Sequence, residues 1–444
     1  VNLAGTTRTP RKKTTGKRLR VGMRPLPIQH CKYERRILMN TVQKRLSVVG
    51  FTVVSILFAC VSLHGVTGTP TVTVFYTAGS IGGSLGICSD LSSGWSCSGG
   101  GPYAATGSSV TSVLDTLNQW HTFYLGTANQ IEEVRVYGQN ADGQYLTAND
   151  SPNATAGLPA AAAGSALTAI LDPTSGNSFI HLFYEGTNGH VYELYCNCAS
   201  TSPNPPSWSG DDLMSKASGS PVAKSGSPLT SLIDLSNGHN YMHVFYLGTN
   251  ENIYELYWVS GSAWHYADDT GSSGAPVAAS NSKITSFIDN SGGTASIMHV
   301  FFEGTNQNVY EMYYSGSWHY DDPTSLTGAP VAASGSSLTG LINTSGVGDT
   351  GIHVMYLGTT GNVYDLHYVS TWSYFDPTTE SGAPSAASGS ALTSFLDSGA
   401  VYLFFTNSPN SDLYELHWPA QGEATYSSVG AAAPDTGLAG LVFP

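Results

Sequence analysis

Five histidines in this 444-residue chain each stand twelve positions ahead of an acid: His121 and Glu133, His181 and Glu193, His243 and Glu255, His299 and Glu311, His353 and Asp365. An imidazole and a carboxylate at one fixed spacing can hydrogen-bond each other, and together they offer donors and acceptors to hydroxyl groups. Tryptophans recur in the same segments, at Trp95, Trp208, Trp264, Trp318 and Trp372. Two chemistries fit these residues. In one, each pair is structural and fixes a hairpin in the same way every time. In the other, the pairs bind sugar hydroxyls while an indole from the next unit covers the apolar C–H face of a pyranose. Catalysis fits poorly, because the acids recur with the repeat, whereas a glycosidase needs one asymmetric pair of carboxylates. The sequence has no HExxH, no GxSxG, no phosphate-binding glycine loop and no Cys/His zinc spacing. The expectation is a protein that is not an enzyme, with no cofactor and no metal site.

The elements that must position these residues are written as a repeat. The clearest copies are HLFYEGTNGHVYELY from His181, HVFYLGTNENIYELYW from His243, HVFFEGTNQNVYEMYY from His299 and HVMYLGTTGNVYDLHY from His353, with HTFYLGTANQIEEVRVY from His121. Weaker copies start at Val72 and Tyr402. Each is followed by a Trp-centred stretch, a Gly/Pro turn such as GAPVAASGS, and a short apolar run such as LTSFID. A unit therefore reads as four short strands separated by turn residues. Four strands at a period near fifty residues are the pattern of a β-propeller blade. The first copy lacks an LTSFID-like strand and the last ends one strand long, on LAGLVF, so the terminal strand can complete the first blade. The expected fold is all-β, a seven-bladed β-propeller closed by its C-terminal strand, with six blades as the alternative. A turn at Gly248-Thr249-Asn250 would set His243 directly opposite Glu255, on one face of the hairpin. In the last copy the same count leaves Glu415 facing Leu403, and in the first Thr73 has no acid.

Charge divides the chain. Thirteen of its 17 Lys and Arg residues lie between Arg8 and Arg45, and only Arg135, Lys216, Lys224 and Lys283 follow. From about residue 66 onward, four cations against thirty acids leave a net charge of −26. A body so poor in cations cannot neutralise a run of phosphates, which argues against nucleic acid as a partner. It is also rich in Gly, Ser, Thr, Asn and Tyr and poor in helix formers, as an all-β reading requires.

Residues 1–38 form a basic head without periodicity, either an unstructured tail or sequence upstream of a start at Met39. Residues 39–68 are laid out as a signal peptide or N-terminal membrane anchor: Lys44 and Arg45, an uncharged apolar run from Leu46 to Leu63, then Gly65 and Gly68. Leu57-Phe58-Ala59-Cys60 also loosely matches a lipoprotein box. Each version makes the 69–444 domain secreted or exposed at the cell surface, touching a membrane only through this segment. In an oxidising exterior Cys88 and Cys97 are disulfide candidates, joining two strands of the first blade. Cys196 and Cys198, two apart, would need strained geometry to bridge. Asn149, Asn153 and Asn343 lie in N-x-S/T sequons.

The units VFYLGTNENIYELYW, WHY, GAPVAAS and ITSF resemble the repeats of fungal fucose-specific lectins of the Aleuria type and of related seven-bladed bacterial lectins of the Photorhabdus type. The resemblance covers about residues 70–444 and is closest over 175–400. It implies a carbohydrate-binding protein whose sites lie between adjacent blades, each built from an Arg and a Glu of one blade and a stacking Trp of the next. Position by position, Glu133, Glu193, Glu255 and Glu311 match the Glu, with Asp365 as a shorter acid. Trp208, Trp264, Trp318 and Trp372 match the stacking residue. The Arg is absent everywhere, and His121, His181, His243, His299 and His353 stand in its place. Arg is a permanent cation with a planar fork of donors, whereas His is mostly neutral at pH 7. The expected partners are therefore glycans, but fucose specificity does not carry over. Binding through such pairs should weaken below about pH 5, where carboxylates protonate. The rival reading is a non-catalytic propeller for protein interaction or spacing.

Overall fold

Alternating apolar and aromatic residues between Gly- and Asn-rich turns fold here into seven four-stranded antiparallel sheets. The computed structural model describes residues 72–442 except 78–83, 92–93, 140–144, 174–178, 199–205, 236–239, 291–295, 345–350, 398, 409, 419–422 and 432–436. The basic head, the Met39 start and the export segment lie outside the described residues. Blade four shows the pattern, its strands running Leu229–Asp234, Tyr241–Leu247, Ile253–Val259 and Trp264–Asp268 from the axis outward. The chain ends meet as the unmatched strands required. Leu438–Val442 pairs with Val72–Thr77, Phe75 opposite Ala439, and so supplies the innermost strand of blade one. The ring is a seven-bladed β-propeller.

The second strand of each unit is buried over most of its described length, as in Val244, Phe245, Tyr246 and Leu247. It reads as an unbroken apolar run because both of its faces are covered. The core is accordingly divided among the interfaces: Phe183 of blade three packs with Val244, Tyr246 and Trp264 of blade four. Hydroxyls near the axis join neighbouring first strands, Thr168 to Ser231 at 2.8 Å and Thr230 to Ser286 at 2.9 Å. The serine of each GAPVAASGS stretch accepts from the backbone of its own blade's second strand, as Ser227 does from Leu247 N–H at 2.8 Å.

The central hairpin differs from the sequence expectation in register. Five residues, Gly248–Asn252, make the turn: Gly248 N–H donates to Asn252 O, Glu251 N–H donates to Gly248 O, and Glu251 has φ of +66°. The strands therefore pair Leu247 with Ile253, Phe245 with Glu255 and His243 with Tyr257. His243 is not directly opposite Glu255 but two positions along on the same face. In the seventh blade the turn is one residue longer, and Thr406 pairs with Leu413. Tyr402, rather than Leu403, occupies the histidine position there, facing His417.

After the outer strands of blades two to six the chain makes one helical turn where the sequence suggested only a loop. These turns are Pro152–Ala156, Leu213–Lys216, Asp269–Ser273, Pro323–Thr327 and Pro377–Ser381. Asp212, Asp268, Asp322 and Asp376 cap four of them by accepting a backbone N–H three residues on. Such a side chain satisfies a donor that the first turn leaves open. The cap carboxylates of Asp268, Asp322 and Asp376 also accept from Asn252, Asn308 and Asn362 in the hairpin turn, tying helix to hairpin. In blade one Cys88 and Cys97 lie opposite each other on adjacent strands and form a disulfide, Cα atoms 4.1 Å apart. Cys196 and Cys198 also meet, both buried. Of the sequons, Asn149 is exposed on an outer strand, whereas Asn153 and Asn343 are buried and bonded to backbone.

Asp269 departs from the repeat. It opens the helical turn of blade four where other blades have Pro152, Pro323, Pro377 or Leu213. It is fully buried, and neither carboxyl oxygen has a hydrogen-bond partner among the described residues. Burial, reinforced by the charges of Glu255 and Asp268, holds its carboxyl well above the usual range. The unfolded chain ionises first, so stability falls as pH rises from the unfolded value to the folded one. Asp268 is extended, as a residue before proline must be. Asp269→Pro should therefore stabilise the protein at neutral pH by about 1–3 kcal/mol, with a smaller gain in acid. Denaturant midpoints at the two pH values measure this, and a loss of stability at neutral pH would contradict it.

Candidate functional site

The second strand carries the histidine and, two residues on, an aromatic or Met on the same face; the third strand sets the acid opposite that second residue. The diagonal brings imidazole and carboxylate together in all five blades. His121 Nδ1 lies 2.6 Å from Glu133, His181 2.6 Å from Glu193, His299 2.5 Å from Glu311 and His353 2.8 Å from Asp365, and His243 bonds Glu255. Every member of these pairs is buried. In the neutral ring Nδ1 donates to the carboxylate, which leaves the Nε2 lone pair as an acceptor. The Nε2 atoms of His181, His243 and His299 have no hydrogen-bond partner among the described residues.

Each tryptophan reaches this face from the following blade. Trp208 packs edge-to-face on Phe123 at 5.7 Å, Trp264 on Phe183 at 6.3 Å, Trp318 on Phe245 at 6.2 Å and Trp372 on Phe301 at 6.1 Å. These are the phenylalanines directly opposite the acids, so each indole sits beside the expected His and Glu. Trp208 and Trp264 are buried; Trp318 and Trp372 are half-buried. Between blades six and seven no outer-strand tryptophan is present, and Trp418 from a third strand packs on Phe375 instead, at 6.3 Å.

Further carboxylates border the pairs. Asp115 follows and Asp172 ends the first strand of its blade, Asp115 lying 3.6 Å from His121 Nε2. An acid closes the LTSFID-like segment in blades two to five and seven, with Asn343 in its place in blade six, but without the register nothing tied it to the histidines. On the outer strands Asp150, Asp211 and Asp321 pair with Glu133, Glu193 and Glu311. Ala267 and Phe375 hold that position in blades four and six, so no repeat advertised it. Between blades three and four these groups line a cavity of about 440 Å³. Its walls are His181, Glu193 and Asp211 on one side and Asn240, Trp258 and Trp264 on the other. Among the described residues no group of three or more His, Cys, Asp or Glu could hold a metal.

No protein-family model and no curated protein sequence matches the chain. Among solved structures it is similar to the BP39L lectin from Burkholderia pseudomallei, with 16% identity over 82% of this chain and 96% of that one and a TM-score of 0.55. AofleA from Arthrobotrys oligospora is similar at 15% identity over 76% and 90%, TM-score 0.51. The six-bladed Aleuria aurantia lectin gives 19% identity over 62% and 84%, with a TM-score of 0.45. The Burkholderia and Arthrobotrys likenesses show a shared β-propeller fold.

Within this propeller the blades differ electrostatically. Burial alone would lower the pKa of His121, but the hydrogen bonds and charges of Asp115 and Glu133 on its two sides outweigh it and leave the ring raised. Glu311 is pushed above the ordinary glutamate range by burial and by Asp321, while the hydrogen bond and charge of His299 pull it back. His299→Phe should therefore raise Glu311 further. The variant then loses stability as pH climbs from the unfolded value towards the folded one. We expect a cost of about 1–3 kcal/mol at neutral pH and a smaller one near pH 4, read from denaturant midpoints. Equal costs at both pH values would mean that Glu311 does not report on its partner.

Proposed function

We propose that the propeller is an exported, non-catalytic carbohydrate-binding protein whose sites lie in clefts between adjacent blades. The observation that carries this reading is the cavity between blades three and four, where a buried His–Glu pair meets an indole of the next blade. Hydroxyls find carboxylate and imidazole acceptors there, and Trp258 and Trp264 offer apolar surface to the ring carbons. The lectin name of the Burkholderia neighbour agrees with it, and the apolar segment after Lys44 and Arg45 supports export. Fucose is a poor candidate for this cleft. The only arginine after residue 45 is Arg135, buried in blade two, and no lysine or arginine lines the cavity.

The structural reading of the pairs keeps its force in blade two. His121 and Glu133 are 0% and 1% exposed, and the imidazole is held between two carboxylates. We assign that pair to holding the blade together.

A glycan array probed with the purified chain should show discrete binding to a subset of sugars. Glu193→Gln should weaken that binding about tenfold, the effect of losing one charge-assisted hydrogen bond, while thermal unfolding stays cooperative. The double replacement Glu255→Gln with Trp318→Ala tests the next cleft in the same way. An array flat across every glycan would sink the carbohydrate reading in favour of a protein-binding or spacer propeller.

A further inference from the structure

The cleft between blades three and four gathers acids without a facing cation. Three carboxylates line it, Asp172, Glu193 and Asp211, and no lysine or arginine does. Glu193 is bonded to the His181 imidazole, and Asp172 accepts from the neutral Asn240 amide at 3.0 Å. Asp211 has a cation, Lys216, 3.2 Å away, but that lysine is 55% exposed outside the lining, and such surface pairs are weak. The domain around the cleft carries a net charge of −26, so its field adds to the local one.

The hydrogen-bonding inventory leans the same way. With Nδ1 committed to Glu193, the Nε2 lone pair of His181 is a further acceptor, and it has no partner among the described residues. His181 is 8% exposed and lines the cavity. Carboxylates and imidazole make the site rich in acceptors, while aromatic rings form much of the rest of the wall. A neutral sugar brings hydroxyls that are donors and acceptors equally. An ammonium group brings three donors, no acceptor and a positive charge, and aromatic faces attract it further. The corresponding cleft between blades four and five has Ala267 in place of Asp211, so this demand is not common to the ring.

We propose that the cleft between blades three and four takes an amino sugar with a free, protonated amine, the ammonium held among Asp172, Glu193 and Asp211 and the ring against the tryptophans. The proposal rests on the carbohydrate reading above and names the sugar class for one of its clefts.

Calorimetric titration of the full chain with glucosamine, N-acetylglucosamine, glucose and methylammonium, at pH 7 and at low and high salt, tests it. Glucosamine should bind about tenfold tighter than either neutral sugar, equivalent to one charge-assisted contact. That preference should shrink as salt screens the carboxylates. In Asp211→Asn and in Asp172→Asn, each checked for a cooperative unfolding transition, the preference for glucosamine over glucose should fall at least about fivefold. Glucosamine and glucose binding equally would overturn the amine assignment and leave the carbohydrate reading standing. Methylammonium matching glucosamine would overturn the sugar part and leave a simple amine site. Absence of binding by any sugar, here and on the array, would remove both readings.

Discussion

A propeller blade cannot satisfy itself. Its four strands have two faces, both apolar near the axis, and only the adjoining blades can cover them. Phe183 of blade three is buried because Trp264 of blade four lies on it, and the same contact repeats at Phe123, Phe245 and Phe301. Everything placed at that interface is dehydrated together with the aromatics. A carboxylate there must be paired or lose its charge, and five of the seven blades supply a histidine two positions along to do it. Asp269 shows the opposite case, a buried carboxyl without such a partner, whose pKa rises accordingly. The pairs are thus part of the adhesive between blades and, where the interface opens, part of a polar wall.

This dependence explains why the clefts are not copies of one another. The groups bordering each acid vary from blade to blade: Asp150, Asp211, Ala267, Asp321 and Phe375 occupy one position. Glu185 and Glu303 reach across to backbone N–H groups of the next blade, where Leu125, Leu247 and Leu357 only pack. The shared residues keep the ring together, and the variable ones give each cleft its own charge.

Much of the architecture was legible because repetition exposes it. The blade count, the four strands per blade and the pairing of the chain ends all follow from where copies start and stop. The pairing of His243 with Glu255 was also legible, since a twelve-residue step that recurs five times has one structural cause. The register was not legible. It depends on Glu251 adopting a left-handed conformation, which its residue type does not announce. The same limit hid Tyr402, which reaches the histidine position through one added turn residue. Asp172 and Asp211 come to the cleft through the register of neighbouring strands, Asp172 opposite Phe179 and Asp211 opposite Glu193, across loops whose length varies from blade to blade. No count along the chain could have placed them there.

The seam in blade one has a consequence in time. Val72–Thr77 is made before any other strand of the ring, but its inner partner, Leu438–Val442, is made only after all the others. Until then the ring is an open arc with an unpaired strand edge at one end, a template for pairing with another chain. Contacts so far apart in sequence also form slowly. A circularly permuted chain cut in a loop between two blades would build every blade from consecutive strands and leave no such edge open.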